Sequence, residues 1–271
     1  MRRTSLLVLA GVLALAACSD DASITDPDPL VPPAALLKDI VIPNLPSPYY
    51  HLEYDAAYRI RHVSFAADAR AYDVVRAGNR IEKLVGTAGS RDTLVYAYDA
   101  AGRVGTVNQV DDAGQVVSIT SFTYDGARLV KAERKVKVDG DFVVDRTLSF
   151  TYDDAGNVMD VVDQRPAIAG HQAQSTTTDH FEQYDTKLNV DGFSLLHPDF
   201  GEPLILLPGV ELQRGNPASE TFTGASLAYT ATYTYTYDDR NRPLTRMGEV
   251  TWTSGPDAGR NFQTQSSYSY Y

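Results

Sequence analysis

Three pairs of adjacent aspartates are the residues in this sequence that most resemble catalytic or metal-binding carboxylates. They are Asp111-Asp112, Asp153-Asp154 and Asp238-Asp239. Neighbouring residues of a strand point to opposite faces, and each pair falls in a predicted turn, where an aspartate accepts hydrogen bonds from the backbone. We therefore interpret the pairs as turn caps and predict no catalytic residue.

Metal, cofactor and thiol chemistry have equally little support. The five histidines, at positions 51, 62, 171, 180 and 197, show none of the spacings typical of zinc sites. The sequence contains no G-x-S-x-G motif, phosphate loop or dinucleotide fingerprint. We predict no metal and no cofactor, and we favour a binder or scaffold over an enzyme.

The only cysteine, Cys18, follows a segment typical of export signals. A basic start at residues 1–3 precedes an apolar run, Leu6–Ala17, which is too short to span a bilayer. Leu15-Ala16-Ala17-Cys18 resembles the bacterial lipobox. The resemblance implies a signal peptide over residues 1–17, lipid attachment at Cys18 and anchoring in a membrane without a transmembrane helix.

The residues after Cys18 bear on sorting and on the form of the anchor. Ser19 resembles the outer-membrane sorting signal of enterobacterial lipoproteins, and Asp20-Asp21 resembles a surface-export signal. Residues 18–48 hold seven of the fourteen prolines, which predicts a semi-rigid tether. Within it, residues 36–42 could form a turn or a strand. We expect an outer-membrane lipoprotein of the cell envelope, periplasmic or surface-exposed.

The charge of the chain excludes one class of partner. Loss of residues 1–17 removes two arginines and no acid, which takes the formal net charge from −11 to −13. Such a charge repels phosphate backbones, so nucleic acid is not an expected partner.

Internal repeats organise residues 49–271, which we predict to be a single β-rich domain. In each repeat two aromatic residues at i and i+2 share a strand face, aspartate caps a turn, and Gly or Asn adopts the left-handed conformation that closes it. A return strand follows, so each repeat predicts a hairpin. The repeat residues are Tyr98, Asp99, Gly102, Tyr124, Asp125, Tyr152, Asp153, Gly156, Tyr237 and Asp238.

These units resemble the tyrosine-aspartate (YD) repeats of Rhs-type and teneurin-like β-shell proteins. The whole chain resembles β-rich, lipobox-bearing lipoproteins of the Bacteroidetes type, whose Tyr-Asp-x-Lys-x-Asn-Pro segment corresponds to Tyr184–Val190, with Val190 in place of proline. Gly215-Asn216-Pro217 corresponds to their later Asn-Pro element. The resemblance implies the fold and an envelope location, and it implies no reaction.

Aromatic residues are the best candidates for binding. In residues 230–237 threonines alternate with Ala231 and tyrosines, so one face should be packed and the other wet. Tyr233, Tyr235 and Trp252 are the candidate binding residues, since such rings combine apolar area with a polar tip. The alternative is that the repeat tyrosines only pack the sheet.

An irregular insertion at residues 185–221 interrupts the repeats. We expect it to pack on the sheet, as a plug or alternatively as a ligand lid, because so apolar a segment needs a surface on which to bury its side chains. Its apolar residues are Phe193, Leu195, Leu196, Phe200, Leu204, Ile205, Leu206 and Leu207.

Together these features predict an all-β, antiparallel meander of about ten strands, forming a twisted, rolled or near-closed sheet. The predicted function is non-enzymatic binding or scaffolding at the membrane, with a glycan or another envelope protein as partner. The alternative is a hydrolase acting on cell-wall or other polysaccharide.

Overall fold

In a computed structural model that describes residues 35–190 and 204–271, sixteen strands form one closed barrel. Strands adjacent in sequence are adjacent in space and antiparallel throughout. The strands are β1 Leu37–Val41, β2 Tyr50–Tyr54, β3 Ile60–Phe65, β4 Arg70–Ala77, β5 Arg80–Thr87, β6 Thr93–Tyr98, β7 Val104–Val110, β8 Val116–Asp125, β9 Arg128–Val138, β10 Asp141–Tyr152, β11 Val158–Arg165, β12 Ser175–Tyr184, β13 Pro217–Gly224, β14 Ala228–Tyr237, β15 Pro243–Ser254 and β16 Asn261–Tyr270.

The predicted all-β antiparallel meander is confirmed, but the sheet has more strands than expected and is fully closed. Closure follows from β1, which pairs with β2 on one side and with β16 on the other; Ile40 lies opposite both Tyr50 and Tyr268. This strand lies in the proline-rich stretch that composition assigned to the tether. The barrel therefore begins at Leu37, and closure leaves no unpaired sheet edge.

The turns divide the barrel into two ends. The tyrosine-aspartate turns, which join β2 to β3, β6 to β7, β8 to β9, β10 to β11 and β14 to β15, all lie at one end, here called the tyrosine-turn end. The opposite end, called the far end, carries the loops that follow the odd-numbered strands. Both termini of the barrel lie at the tyrosine-turn end, where the backbone N–H of Tyr271 donates to the carbonyl of Leu36 over 3.1 Å.

Four of the five tyrosine-aspartate turns are capped by their aspartate, whereas Asp125 at the tight β8–β9 turn is the last residue of β8 and lies opposite Arg128. In the β6–β7 turn one carboxylate oxygen of Asp99 accepts the backbone N–H of Arg103 at 2.9 Å, and the other accepts its Nε at 2.8 Å. These hydrogen bonds lower the pKa of Asp99. Gly102 closes the turn at φ +80°. The same contacts join Asp55 to Arg59, Asp153 to Asn157 and Asp238 to Arg242.

The repeat tyrosines link each turn to the one before it. The hydroxyl of Tyr124 donates to the carbonyl of Val104 at 2.9 Å, and the guanidinium of Arg103 lies 4.5 Å from the centre of the Tyr124 ring. The same hydroxyl–carbonyl and cation–π contacts recur around the barrel, at Tyr98 with Ile81 and Arg80, Tyr152 with Leu129 and Arg128, and Tyr270 with Pro243 and Arg242. For these tyrosines, the contacts support the alternative that the repeat tyrosines pack the sheet.

Alternation along the strands separates the two faces of the wall. In β14 the four threonines of Thr230–Thr236 are exposed, whereas Ala231 between them is buried. Inward positions of the shorter strands build the core, which includes Leu84, Leu94 and Val107. The predicted alternation of this segment is therefore confirmed.

The described part of the insertion contributes to the same core. Leu204, Leu206 and Leu212 are almost fully buried in it, and the backbone N–H of Leu206 donates to the hydroxyl of Tyr96 at 3.0 Å. Residues 217–221 belong to β13, so the irregular stretch ends earlier than predicted. The predicted apolar residues Phe193, Leu195, Leu196 and Phe200 lie outside the described residues.

The β10–β11 turn offers a matched test of the capping interpretation. Replacing Asp153 with Ala should lower the free energy of unfolding by about 1–2 kcal/mol, because it removes acceptors for Asn157, whose own side chain holds the backbone of Arg214 and Gly215. Asp154→Ala, at the exposed neighbour, should change it by less than about 0.5 kcal/mol. Chemical denaturation measures both, and equal effects would contradict the assignment.

Candidate functional site

Four aromatic side chains line neighbouring strands near the far end: Phe222, Tyr229, Trp252 and Phe262, hereafter the aromatic row. Phe222 and Tyr229 stack with ring centroids 5.0 Å apart and planes at 8°. Tyr229 meets Trp252 edge to face at 5.4 Å, and Trp252 lies 5.8 Å from Phe262. The row is therefore continuous from β13 to β16.

Cross-strand pairing places the aromatic row on the inner face of the barrel. Directly opposed residues of antiparallel strands share a face, and the opposed pairs are Phe222 with Tyr229, Tyr229 with Trp252, and the buried Val250 with Phe262. Phe262 is nevertheless 42% exposed. The row is therefore an inward surface that solvent reaches at the far end.

A pair of carboxyl groups, Asp179 and Glu220, lies beside the row on β12 and β13. Glu220 accepts the hydroxyl of Tyr229 through one carboxylate oxygen and that of Tyr233 through the other, both at 2.5 Å. Burial, with the negative charge of Glu220, raises the pKa of both tyrosines, which keeps them protonated donors. Tyr229 thus belongs both to the aromatic row and to this hydrogen-bond network.

Asp179 keeps its proton to a higher pH than an ordinary aspartate. Burial is the main reason that its pKa rises to about 7, and the charges of Glu220 and Asp163 add to the effect. The side chains of Asp179 and Glu220 also hydrogen-bond to each other. With the hydroxyls of Tyr229 and Tyr233, the two carboxyl groups form a hydrogen-bonded polar layer inside the barrel.

Ion pairs continue this polar layer over the strands before β12. Arg134 pairs with Asp145 at 2.5 Å, and the nearly buried Arg146 pairs with Asp163 at 2.9 Å. Arg165 also contacts Asp163, at 3.3 Å. Their charges are compensated locally, as buried charges require.

The structure places the three predicted binding residues in different environments. Trp252 lies in the aromatic row. The ring of Tyr233 lies over Gly248, where a Cβ atom would come within 2.8 Å of it, and its hydroxyl is held by Glu220. Tyr235 stacks on Tyr237 and donates to the carbonyl of Pro217 at 3.0 Å, so its hydroxyl serves the fold.

The remaining predicted repeat residues lie in turns or at the strand ends that flank them, and they do not join the aromatic row. The hydroxyl of Tyr237 donates to Asp185, and the other repeat tyrosines bond to carbonyls at the tyrosine-turn end. Sequence reasoning missed Phe222, Phe262, Asp179 and Glu220. The alternation of residues 217–224 is the signal that could have placed Glu220 and Phe222 on one face.

Other polar features give less support for a site. Among residues 35–190 and 204–271, no three His, Cys, Asp or Glu side chains converge to hold a metal ion. A cavity of about 410 Å³ at the far end contains Asp92, but its carboxylate already accepts Tyr72 and Gln109. His180 pairs with Asp160 at 2.6 Å on the outer face.

Comparison with known proteins bears on the fold. No family model and no curated protein matches the sequence. The chain shares its fold with a porin-like protein from Bacteroides uniformis. The two are 15% identical with a TM-score of 0.55, over 82% of this chain and 89% of that one.

Two further solved structures are more distant. A porin-like protein from Bacteroides vulgatus gives a TM-score of 0.49 at 14% identity, over 87% of this chain and 99% of that one. The Tc holotoxin pore of Photorhabdus luminescens gives 0.31 at 16% identity, over 79% of this chain and 9% of that one. Within the described residues, no helix is long and apolar enough to cross a membrane.

The raised pKa of Asp179 predicts a pH-dependent stability. The unfolded chain loses this proton near pH 3.9 and the folded chain near pH 7, so stability falls as pH rises between these values. Asp179→Asn should therefore stabilise the protein by about 2 kcal/mol at pH 8, where the wild type buries a charge. Thermal unfolding of both proteins should show the difference shrink towards pH 4; a difference that does not depend on pH would contradict the assignment.

Proposed function

We propose that this protein is a lipid-anchored envelope protein whose barrel binds its ligand at the far end without catalysing a reaction. One observation carries the proposal. The chain enters the barrel at the tyrosine-turn end, through Leu37, whereas the partly exposed aromatic row lies at the opposite end. A barrel held by Cys18 would then present its binding surface away from the membrane.

The outer wall supports a barrel that stands in water. Its outward positions include charged, hydroxyl and amide side chains, such as the Lys131–Glu133 ion pair on β9 and Gln263 and Gln265 on β16. The exposed apolar residues Val95, Phe142 and Leu244 lie on separate strands, β6, β10 and β15. Membrane-spanning barrels need an outward apolar band instead, because charged side chains at the bilayer midplane cost about 2–4 kcal/mol each. The anchor in this proposal is therefore the lipid at Cys18.

We further propose that residues 204–216 of the insertion close the tyrosine-turn end. Its buried leucines support this role, as does the carbonyl of Leu212, which accepts the backbone N–H of Val158 at 2.9 Å. Asn157, itself buried, holds the backbone of both Arg214 and Gly215. A barrel closed at one end offers a cup for binding.

An envelope location rests on the lipobox-like segment, the YD-repeat resemblance and the porin-like neighbour from a Bacteroides species. The partners we propose are the membrane, through lipidated Cys18, and a glycan or another envelope protein. Nucleic acid is not among them, because the chain carries a net charge of −11.

The carboxyl pair favours binding over hydrolysis. Both oxygens of Glu220 are already engaged by tyrosine hydroxyls, and Asp179 contacts it directly. The carboxyl groups of retaining glycosidases stand about 5 Å apart, and those of inverting enzymes stand farther apart still. This pair lacks the space for a sugar or a water between its members.

The anchor and the orientation can be tested together, because Cys18 is the only native cysteine. Ala127→Cys and Ala113→Cys place single thiols in exposed turns at opposite ends of β8. Each lipidated variant is labelled with a donor dye and reconstituted into vesicles that carry an acceptor on the lipid headgroups. Energy transfer should be stronger from position 127, since the ten residues of β8 separate the two labels by about 30 Å.

Two outcomes separate the parts of the proposal. Cys18→Ala should leave the protein in the soluble fraction, and membrane retention of this variant would mean that another anchor exists. Equal transfer from the two labels, or stronger transfer from position 113, would refute the orientation even with the anchor confirmed.

A further inference from the structure

The aromatic row differs from the other aromatic residues of the barrel in what covers it. At the tyrosine-turn end the rings of Tyr98, Tyr124 and Tyr152 lie under arginine guanidinium groups, and their hydroxyls are held by carbonyls. In the aromatic row the rings pack on one another instead, and Phe262 remains 42% exposed. A partly exposed apolar surface inside a mouth is typical of a binding site.

The four rings of the row form one continuous apolar surface. Successive centroids are 5.0, 5.4 and 5.8 Å apart, so each ring packs against the next. The planes of Tyr229 and Trp252 meet at 85°, which makes the row stepped rather than flat. A stepped row contacts a sugar ring on its apolar CH face and along one edge.

A polar group beside the row fits sugar hydroxyls. Thr264 lies on the inner face two residues from Phe262 and is exposed. A hydroxyl group next to aromatic rings provides a donor and an acceptor that help to fix the orientation of a sugar.

Charge narrows the ligand class further. The four rings are uncharged, and the carboxylate of Glu220 is neutralised in part by two phenol donors. The chain as a whole carries a charge of −11, which repels polyanionic polymers. From these contacts we infer that the aromatic row binds neutral pyranose units of a polysaccharide chain. This inference rests on the proposed binding function and names its ligand.

Trp252 makes the inference directly measurable, because it is the only tryptophan of the chain and lies within the row. The full lipidated protein, in detergent micelles without sugar headgroups, is titrated with cellohexaose, chitohexaose and a galacturonate hexamer. At least one of the two neutral oligosaccharides should change the tryptophan fluorescence saturably, whereas the acidic hexamer should not. No change with either neutral probe, or a change with the acidic probe alone, would overturn the inference.

A matched pair of variants assigns the binding to the row. Phe262→Ala should weaken the affinity about tenfold, the scale of one lost aromatic contact. Phe142→Ala, at a similarly exposed phenylalanine opposite Lys137 near the β9–β10 turn, should leave it unchanged. Equal weakening by both variants, or by neither, would place the binding elsewhere. The vesicle experiment contains no sugar, so its result stands independently of this one.

Discussion

The contact between a repeat tyrosine and the turn before it is the interaction on which the whole barrel depends. In the pair Tyr124 and Val104 a hydroxyl bonds to the first carbonyl of a return strand, while Arg103 of that turn covers the ring. Phenylalanine could supply the packing but not the bond, and a buried carbonyl without a partner is costly. Since Arg103 also binds Asp99, one residue joins the cap of its own turn to the tyrosine of the next.

This linkage determines the side chains at the tyrosine-turn end of the barrel and places no such requirement on the side chains at the far end. At the tyrosine-turn end the repeat tyrosines, the capping aspartates and the arginines that contact them serve the fold. At the far end the inner face carries groups that do not follow the repeat: the aromatic row, the carboxyl pair and the ion pairs around Arg146. Regular construction at one end and irregular inner side chains at the other is the arrangement expected of a scaffold that carries a site.

Local sequence patterns predicted the elements that local chemistry controls. The antiparallel meander and the faces of Thr230–Thr236 follow from two-residue alternation and turn residues. Closure could not be predicted in this way, because it depends on Ile40 meeting Tyr268 across almost the entire chain. The strand count was too low chiefly because nine of the sixteen strands have eight residues or fewer. In addition, β1 is a short strand among prolines and resembles a tether until its partners are known.

Prediction of the site would have required the register between neighbouring strands. Trp252 was predicted from residue type, yet its neighbours Phe222 and Phe262 come from other strands. Bulges in the β14–β15 ladder, one of them between Ala228 and Tyr229, shift which residues lie opposite each other, and they leave little trace in a single sequence. Asp179 and Glu220 likewise meet only because of the register between β12 and β13.

The seam between β1 and β16 also constrains how the molecule can be made. Leu37 lies opposite Tyr270, so β1 finds one of its two neighbours only after residue 270 has been synthesised. Its other neighbour offers just two paired positions, Asp39 with His51 and Ile40 with Tyr50. A pairing of such high contact order forms late and slowly. Until then the protein is an open sheet with two unpaired edges, which can pair with other chains and aggregate. A holding chaperone would be of most use in that interval.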